Sequence, residues 1–207
     1  MISKKNCLLL KKVGYKKNMK YKEKYIMEYL DILDLEGKKT GKTALRKEVH
    51  SKGLWHKGVH VWIINSKKEL LVQRRSKNKD VYPNKLYISV AGHPVSGENE
   101  IDSIKREFEE EIGIELDIKK LEYLFTYSQE VVENDGKFLD NQFYDVYLVE
   151  MDLDINSLKL QEEEVSEVKN IYYKEFEMMI KNKDKDIVNH PEEWKRLFEI
   201  LHKRYDD

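Results

Sequence analysis

Three glutamates, Glu107, Glu110 and Glu111, have the clearest capacity for chemistry in this sequence. On a helix, which turns by about 100° per residue, these side chains lie within about 100° of one another. Carboxylates at this spacing repel, and Arg106 offsets only part of the repulsion by pairing with Glu110 at i+4. Mg²⁺ or Mn²⁺ suits such oxygen ligands, and Mg²⁺ commonly completes its coordination shell with substrate phosphate. The spacing therefore predicts a metal site for phosphate chemistry.

The loop before this helix favours a functional site over a merely solvated surface. Solvation is a serious alternative, because 37% of the residues are charged. However, Gly92 and Gly97 permit tight backbone paths and close approach to a ligand. Glu98 begins the predicted helix beside its positive dipole end. The glycine-containing loop and the acidic face of the helix together predict one ligand-binding site.

Residues 92–114 resemble the Nudix box, a motif of Gly, five residues, Glu, seven residues, Arg-Glu, an apolar residue, any residue, Glu-Glu, any residue, Gly and an apolar residue. Weaker similarity covers about residues 28–180, including Gln73-Arg74-Arg75-Ser76 and the acidic segment 160–167. Every specified position of the box is filled, by Gly92, Glu98, Arg106, Glu107, Phe108, Glu110, Glu111, Gly113 and Ile114.

The resemblance implies an α/β fold, namely a Nudix-type α/β/α sandwich with a mixed β-sheet. It implies cleavage of a diphosphate linkage in a nucleoside diphosphate derivative or a similar small substrate, with Mg²⁺ or Mn²⁺ as the cofactor. The implied general base is Glu107 or, from the late acidic loop, Glu164. Arg106 would orient the carboxylates, and Gly92 and Glu98 would support the loop. The implied metal ligands are Glu107, Glu110, Glu111 and the backbone carbonyl of Ala91.

Three histidines, His50, His56 and His93, resemble metal ligands of type I isopentenyl-diphosphate isomerases, which are Nudix relatives. This resemblance implies a secondary metal site. In those isomerases a cysteine and a glutamate carry the proton transfers. Here Ala91 and Gln142 stand at those positions, and neither side chain transfers protons at neutral pH. The sequence therefore favours a hydrolase over an isopentenyl-diphosphate delta-isomerase or another isoprenoid-diphosphate enzyme.

A non-catalytic binding module on the same fold is a third hypothesis. Such modules generally lose acidic residues of the box, whereas this sequence retains all of them. Aromatic residues that could stack on a substrate or cover it are also present. The candidates are Trp55, Tyr82, Tyr87, Phe125, Tyr127 and Tyr144.

Hydrophobic periodicity predicts the elements around this site. Strands are expected near residues 29–35, 58–65, 70–72, 86–90, 123–129, 143–150 and 168–173. A helix is expected over residues 98–112, with Ile101, Ile104, Phe108 and Ile112 on its apolar face and Gly113 as its C-cap. A closing amphipathic helix begins at Pro191.

Composition limits the remaining alternatives. The formal net charge of -1 gives no support for nucleic-acid binding, and no apolar run is long enough to span a membrane. The single cysteine, Cys7, excludes an intramolecular disulfide and favours a reducing, cytoplasmic location. We expect a lysine-rich, flexible extension over residues 1–24 and a single domain over 25–207, acting as a monomer or homodimer on a small diphosphate-containing substrate.

Overall fold

The computed structural model describes residues 28–206, so the predicted extension and Cys7 lie outside the described residues. The strands are β1 (Tyr29–Leu33), β2 (Lys39–Leu45), β3 (His56–Ile64), β4 (Glu69–Arg75), β5 (Leu86–Tyr87), β6 (Val90–Gly92), β7 (Leu121–Glu133), β8 (Phe138–Glu150) and β9 (Val165–Tyr172). The helices are α1 (Arg46–Lys52), α2 (Glu100–Glu107), α3 (Tyr173–Lys181) and α4 (Pro191–Tyr205).

Seven of these strands form one mixed sheet in the order β5-β4-β3-β8-β7, with β6 also paired to β3 and β9 to β4. β3 runs parallel to β8, whereas its pairings with β4 and β6 are antiparallel. β1 and β2 form a separate antiparallel pair. The central position of β3 brings the ends of several strands to one region of the sheet.

Side chains of β3 alternate between two cores on opposite faces of this sheet. Trp62 packs in a cluster that contains Leu197 of α4, whereas its neighbour Val61 packs in a cluster that contains Phe108. The period of two along the strand therefore buries both faces under helices. This arrangement confirms the predicted α/β/α sandwich with a mixed sheet.

The acidic helix differs in detail from the prediction. It begins at Glu100, two residues later than expected, because the Asn99 side chain caps it by accepting from the Asp102 backbone N–H. After Glu107 it continues as a π-helical turn, Phe108–Ile112, which ends at Gly113 with φ of 72°. The predicted apolar stripe is confirmed, since Ile104, Phe108 and Ile112 are buried.

Several short elements escaped sequence analysis. α1 spans seven residues with few apolar positions, and the pattern also did not reveal β2 or α3. The single strand expected over residues 86–90 is divided into β5 and β6. The closing helix is confirmed, with Trp194, Leu197, Phe198 and Leu201 buried. Among the described residues, no helix is both long and apolar enough to cross a membrane.

Candidate active site

One cavity of about 440 Å³ gathers most of the predicted site residues. This volume lies within the range of small-ligand pockets. Glu98 and His56 lie outside the set of lining residues, although both contact residues in it. The predicted residues that line the cavity are His50, Ala91, Gly92, His93, Arg106, Glu107, Glu110, Glu111 and Glu164.

Arg106 joins the loop to the helix. Its Nε donates to Glu98 Oε1 at 3.0 Å and its Nη2 to Glu98 Oε2 at 2.8 Å, a bidentate pair. Nη2 also donates to the His93 carbonyl at 2.9 Å. Nη1 donates to Glu107 Oε1 at 2.6 Å and lies 3.5 Å from Glu110 Oε2. One guanidinium therefore fixes the loop and two of the three glutamates.

Gly92 makes room for the Glu107 carboxylate. A Cβ atom at residue 92 would lie 2.1 Å from Glu107 Oε1 and 2.2 Å from its Cδ. Such distances are far below van der Waals contact, so any larger residue would displace the carboxylate. The requirement for glycine at this position is thus steric. The absence of a side chain at Gly92 lets β6 and α2 approach each other closely.

Glu111 is the most enclosed member of the acidic cluster, the name used here for Glu107, Glu110 and Glu111. Only 5% of Glu111 is exposed, whereas 34% of the Glu110 side chain is exposed. Its Oε2 accepts from the Ala91 N–H at 3.2 Å and from Gln73 Nε2 at 3.3 Å. The π-helical turn that begins at Phe108 therefore contains one inward glutamate, Glu111, beside the more exposed Glu109 and Glu110.

Burial disfavours the ionised forms of two carboxylates of the acidic cluster. It raises the pKa of Glu107 to about 7, although Arg106 opposes the shift. Burial, followed by the charge of Glu107, raises the pKa of Glu111 to about 8. A divalent cation would stabilise the ionised forms, and these hard oxygen donors fit Mg²⁺ or Mn²⁺.

The three carboxylates share the cavity without forming a tight triad. Among residues 28–206, ligand atoms that all lie within 4.8 Å of one another belong to His50, His56 and His93. Glu110 is held toward Arg106 and is partly exposed.

Glu164 faces the same cavity from the loop before β9. Its side chain is 15% exposed and forms an ion pair with Lys79, whose side chain is 10% exposed. Burial raises the pKa of Glu164 to about 8 and lowers that of Lys79. The Gln161 N–H donates to the Glu111 carbonyl at 3.1 Å, so this loop is tied to the acidic helix.

The cavity also contains cations that sequence analysis missed. Arg46, Arg75 and Lys79 line it. In a chain with 38 lysines and arginines, single basic residues carry no distinguishing signal. Arg75 also lies over the ring of Tyr87, at 4.8 Å from its centroid. Of the six candidate aromatics, the three that line the cavity are Tyr82, Tyr87 and Tyr144.

The histidine cluster, His50, His56 and His93, forms a second group of potential metal ligands. His56 is buried, and its Nδ1 lies 3.0 Å from the Leu54 carbonyl, to which it must donate. Burial lowers the pKa of His56 to about 4, so the ring is neutral and Nε2 carries a lone pair. A carbonyl that fixes the tautomer in this way is typical of a ligating histidine.

Asp140 and Gln142 of β8 complete the surroundings of the histidine cluster. Asp140 Oδ1 lies 3.4 Å from His50 Nδ1 and 3.6 Å from His56 Nε2. With its amide oxygen turned toward the rings, Gln142 lies 2.5 Å from His93 Nε2 and 3.1 Å from His56 Nε2. The His56 lone pair therefore faces a carboxylate oxygen of Asp140, an arrangement that a cation between them would stabilise.

Comparisons with known proteins agree with this fold. Nudix hydrolase 3 of Arabidopsis thaliana is 41% identical over 182 residues, which cover 86% of this chain but only 24% of that protein. An uncharacterised Nudix hydrolase of Clostridium acetobutylicum is 36% identical, with 75% of each chain covered. A crystal structure from Deinococcus radiodurans superposes with a TM-score of 0.63 at 20% identity, over 86% of this chain and 99% of that one.

The family model for the NUDIX domain matches residues 54–194, which include the acidic cluster, the loop before it and most of the mixed sheet. The match covers more than half of the sequence. This chain therefore belongs to the NUDIX domain family.

Proposed function

We propose that this protein is a metal-dependent pyrophosphohydrolase that cleaves a diphosphate linkage in a nucleoside diphosphate derivative or a similar small substrate. The observation that carries the proposal is the enclosed pair Glu107 and Glu111, which lines a ligand-sized cavity together with arginine and lysine side chains. Carboxylates for a cation and cations for phosphate oxygens are both needed for water to attack phosphorus.

In this proposal the acidic cluster holds Mg²⁺ or Mn²⁺ together with the Ala91 carbonyl. When bound, the cation lowers the pKa of water and neutralises charge on the diphosphate oxygens. Arg106 positions Glu107 through its 2.6 Å hydrogen bond, and Glu98 positions Arg106. Gly92 keeps the Glu107 carboxylate against the loop.

Glu164 is the better placed of the two candidate general bases. Glu107 already accepts from Arg106 and would lose basicity as a metal ligand. Glu164 faces the cavity from another loop, and burial raises its pKa to about 8. A base with a pKa near the working pH combines availability with driving force for proton transfer. Lys79 releases it when a phosphate oxygen becomes the partner of the lysine.

The histidine cluster is proposed as a secondary metal site. Its nitrogen ligands and one carboxylate suit a metal such as Zn²⁺ better than Mg²⁺. Elemental analysis of the purified protein tests this proposal. We expect the triple variant His50→Ala, His56→Ala, His93→Ala to lose a tightly bound metal that Glu111→Gln retains. Equal metal content in the triple variant and the wild type would contradict the site.

The isomerase alternative has less support than hydrolysis. Gln142 lies against the histidine cluster, but an amide cannot act as a base there. At residue 91 the chain offers a methyl group and no thiol. Formation of an allylic isomer without phosphate release would favour the isomerase over our proposal.

A phosphate-release screen tests the function. The purified chain is incubated with nucleoside di- and triphosphates, dinucleotides, nucleotide sugars and isoprenoid diphosphates, with Mg²⁺ or with EDTA. Products of dinucleotides and sugars are first treated with phosphatase. We expect hydrolysis of at least one class with Mg²⁺ and none with EDTA. No hydrolysis of any class with Mg²⁺ or Mn²⁺ would favour a binding module.

A further inference from the structure

Four rings form an aromatic wall of the cavity: His60, Tyr87, Tyr144 and His190. The centroid of His60 lies 4.2 Å from that of Tyr144, and the centroid of His190 lies 5.6 Å from those of Tyr87 and Tyr144. None of these rings belongs to the acidic cluster or the histidine cluster. The polar atoms behind these rings determine which of their ring atoms can donate a hydrogen bond to a ligand and which can accept one.

Glu193 anchors a hydrogen-bond relay behind this wall. The residue is fully buried, and its Oε1 accepts from Trp62 Nε1 at 2.8 Å. Its Oε2 lies 2.7 Å from His60 Nδ1 and accepts from the Tyr127 hydroxyl at 2.8 Å. Burial alone would raise the Glu193 pKa, but the contacts with His60 and other donors outweigh it and lower the pKa. Glu193 is therefore an ionised acceptor.

The relay determines the tautomer of His190. Since Tyr127 donates its single hydroxyl hydrogen to Glu193, its oxygen can only accept from His190 Nδ1, at 3.0 Å. Gln129 Oε1 lies 3.1 Å from the same Nδ1. The orientation of that amide is fixed independently, because Gln129 Nε2 donates to the Asn189 carbonyl at 3.3 Å. Both neighbours are acceptors, so Nδ1 carries the hydrogen.

The opposite nitrogen of His190 is consequently an acceptor. Burial lowers the pKa of His190 to about 3, so the ring is neutral at physiological pH. Its Nε2 then bears a lone pair and no hydrogen. This atom is buried and has no hydrogen-bond partner in the described part of the chain, although His190 lines the cavity. A buried acceptor without a partner is costly unless a ligand or water supplies a donor.

We propose that His190 Nε2 accepts a hydrogen bond from the organic part of the substrate and selects a planar ring that carries an amino group, such as an aminopurine or cytosine. The inference rests on the proposed diphosphate hydrolysis. Tyr87 lines the cavity beside His190, with 5.6 Å between the ring centroids, and is an aromatic neighbour for such a ring. Uracil and hypoxanthine carry an oxygen in place of that amino group, which would set acceptor against acceptor, and an isoprenoid chain would leave Nε2 unpaired.

Matched substrates that differ at the exocyclic position test this proposal. We measure kcat/KM with Mg²⁺ for CDP against UDP and for ADP against IDP, in the wild type and in His190→Phe. We expect the wild type to prefer at least one amino-bearing member by about tenfold. In His190→Phe this ratio should fall to within about twofold of unity. The ratio is independent of the active fraction, because both substrates are tested on the same preparation.

His202→Phe is the control, since His202 lies on the same helix outside the cavity lining. It should retain the wild-type ratio. If His190→Phe does not fold, His190→Leu, which also lacks an acceptor, replaces it. An unselective wild type, or a preference that survives loss of His190, would overturn the assignment. Hydrolysis of isoprenoid diphosphates alone would also overturn it while leaving the proposed function intact, whereas no hydrolysis of any diphosphate would contradict the function itself.

Discussion

The acidic cluster and the histidine cluster border the same cavity but offer opposite coordination chemistry. The acidic cluster presents hard, charged oxygens, and burial raises the pKa of Glu107 and Glu111. The histidine cluster presents nitrogens within 4.8 Å of one another, and burial lowers the pKa of His56 and His93.

The two clusters therefore differ in how closely their ligand atoms are arranged and in the kind of metal they suit. The nitrogens of the histidine cluster lie close together, burial favours the neutral rings of His56 and His93 by lowering their pKa, and a backbone carbonyl orients His56. In the acidic cluster, Arg106 contacts both Glu107 and Glu110, and Glu110 is the more exposed of these two carboxylates. Oxygen ligands suit Mg²⁺, which shares its coordination shell with substrate phosphate, whereas a compact set of nitrogens suits a permanently bound metal.

The largest expected effect follows from neutralising the most enclosed carboxylate. We expect Glu111→Gln to lower kcat by about a thousandfold or more, because it removes a charged oxygen from the proposed cation site. In EDTA its melting temperature should equal or exceed that of the wild type, since burial disfavours the Glu111 charge. Glu109→Gln, an exposed position on the same segment, is the control. Retention of more than a tenth of the activity would contradict the role of Glu111.

A smaller loss of activity is expected from a substitution in the loop before β9, which carries Glu164. Glu164→Gln should lower kcat/KM by about a hundredfold if Glu164 is the base. Because only the deprotonated carboxylate accepts a proton, wild-type kcat/KM should rise with pH until about 8, the raised pKa of Glu164. This rise should be absent in Glu164→Gln and retained in the exposed control Glu162→Gln. The same rise in Glu164→Gln would return the role of base to Glu107.

A still smaller loss of activity is expected from a substitution at the contact between Gly92 of β6 and Glu107 of α2. Gly92→Ala would place a methyl group where Glu107 Oε1 now lies. Displacement of the carboxylate should lower kcat about tenfold and destabilise the fold by about 1–3 kcal/mol. Kinetics with thermal unfolding measure both. Unchanged values would show that β6 and α2 can separate without affecting the acidic cluster.

Sequence analysis predicted the acidic helix and most strands because their periodicity is regular, and it predicted the sandwich because residues 92–114 resemble the Nudix box. It did not predict the π-helical turn over residues 108–112, since no local pattern distinguishes it from α-helix. It also did not place Lys79 or the Glu193 relay. In the sequence, Glu193 is one of several acidic residues on an amphipathic helix. Its burial becomes evident only from its long-range contacts with Trp62 and Tyr127.

The most direct test of the account is Mn²⁺ binding by electron paramagnetic resonance, compared between the two clusters. We predict that Glu107→Gln and Glu111→Gln each weaken Mn²⁺ binding at least tenfold. The triple histidine variant should bind Mn²⁺ with wild-type affinity at the acidic cluster. Wild-type affinity in both glutamine variants, with loss of binding in the histidine variant, would contradict the assignment of the catalytic cation to the acidic cluster.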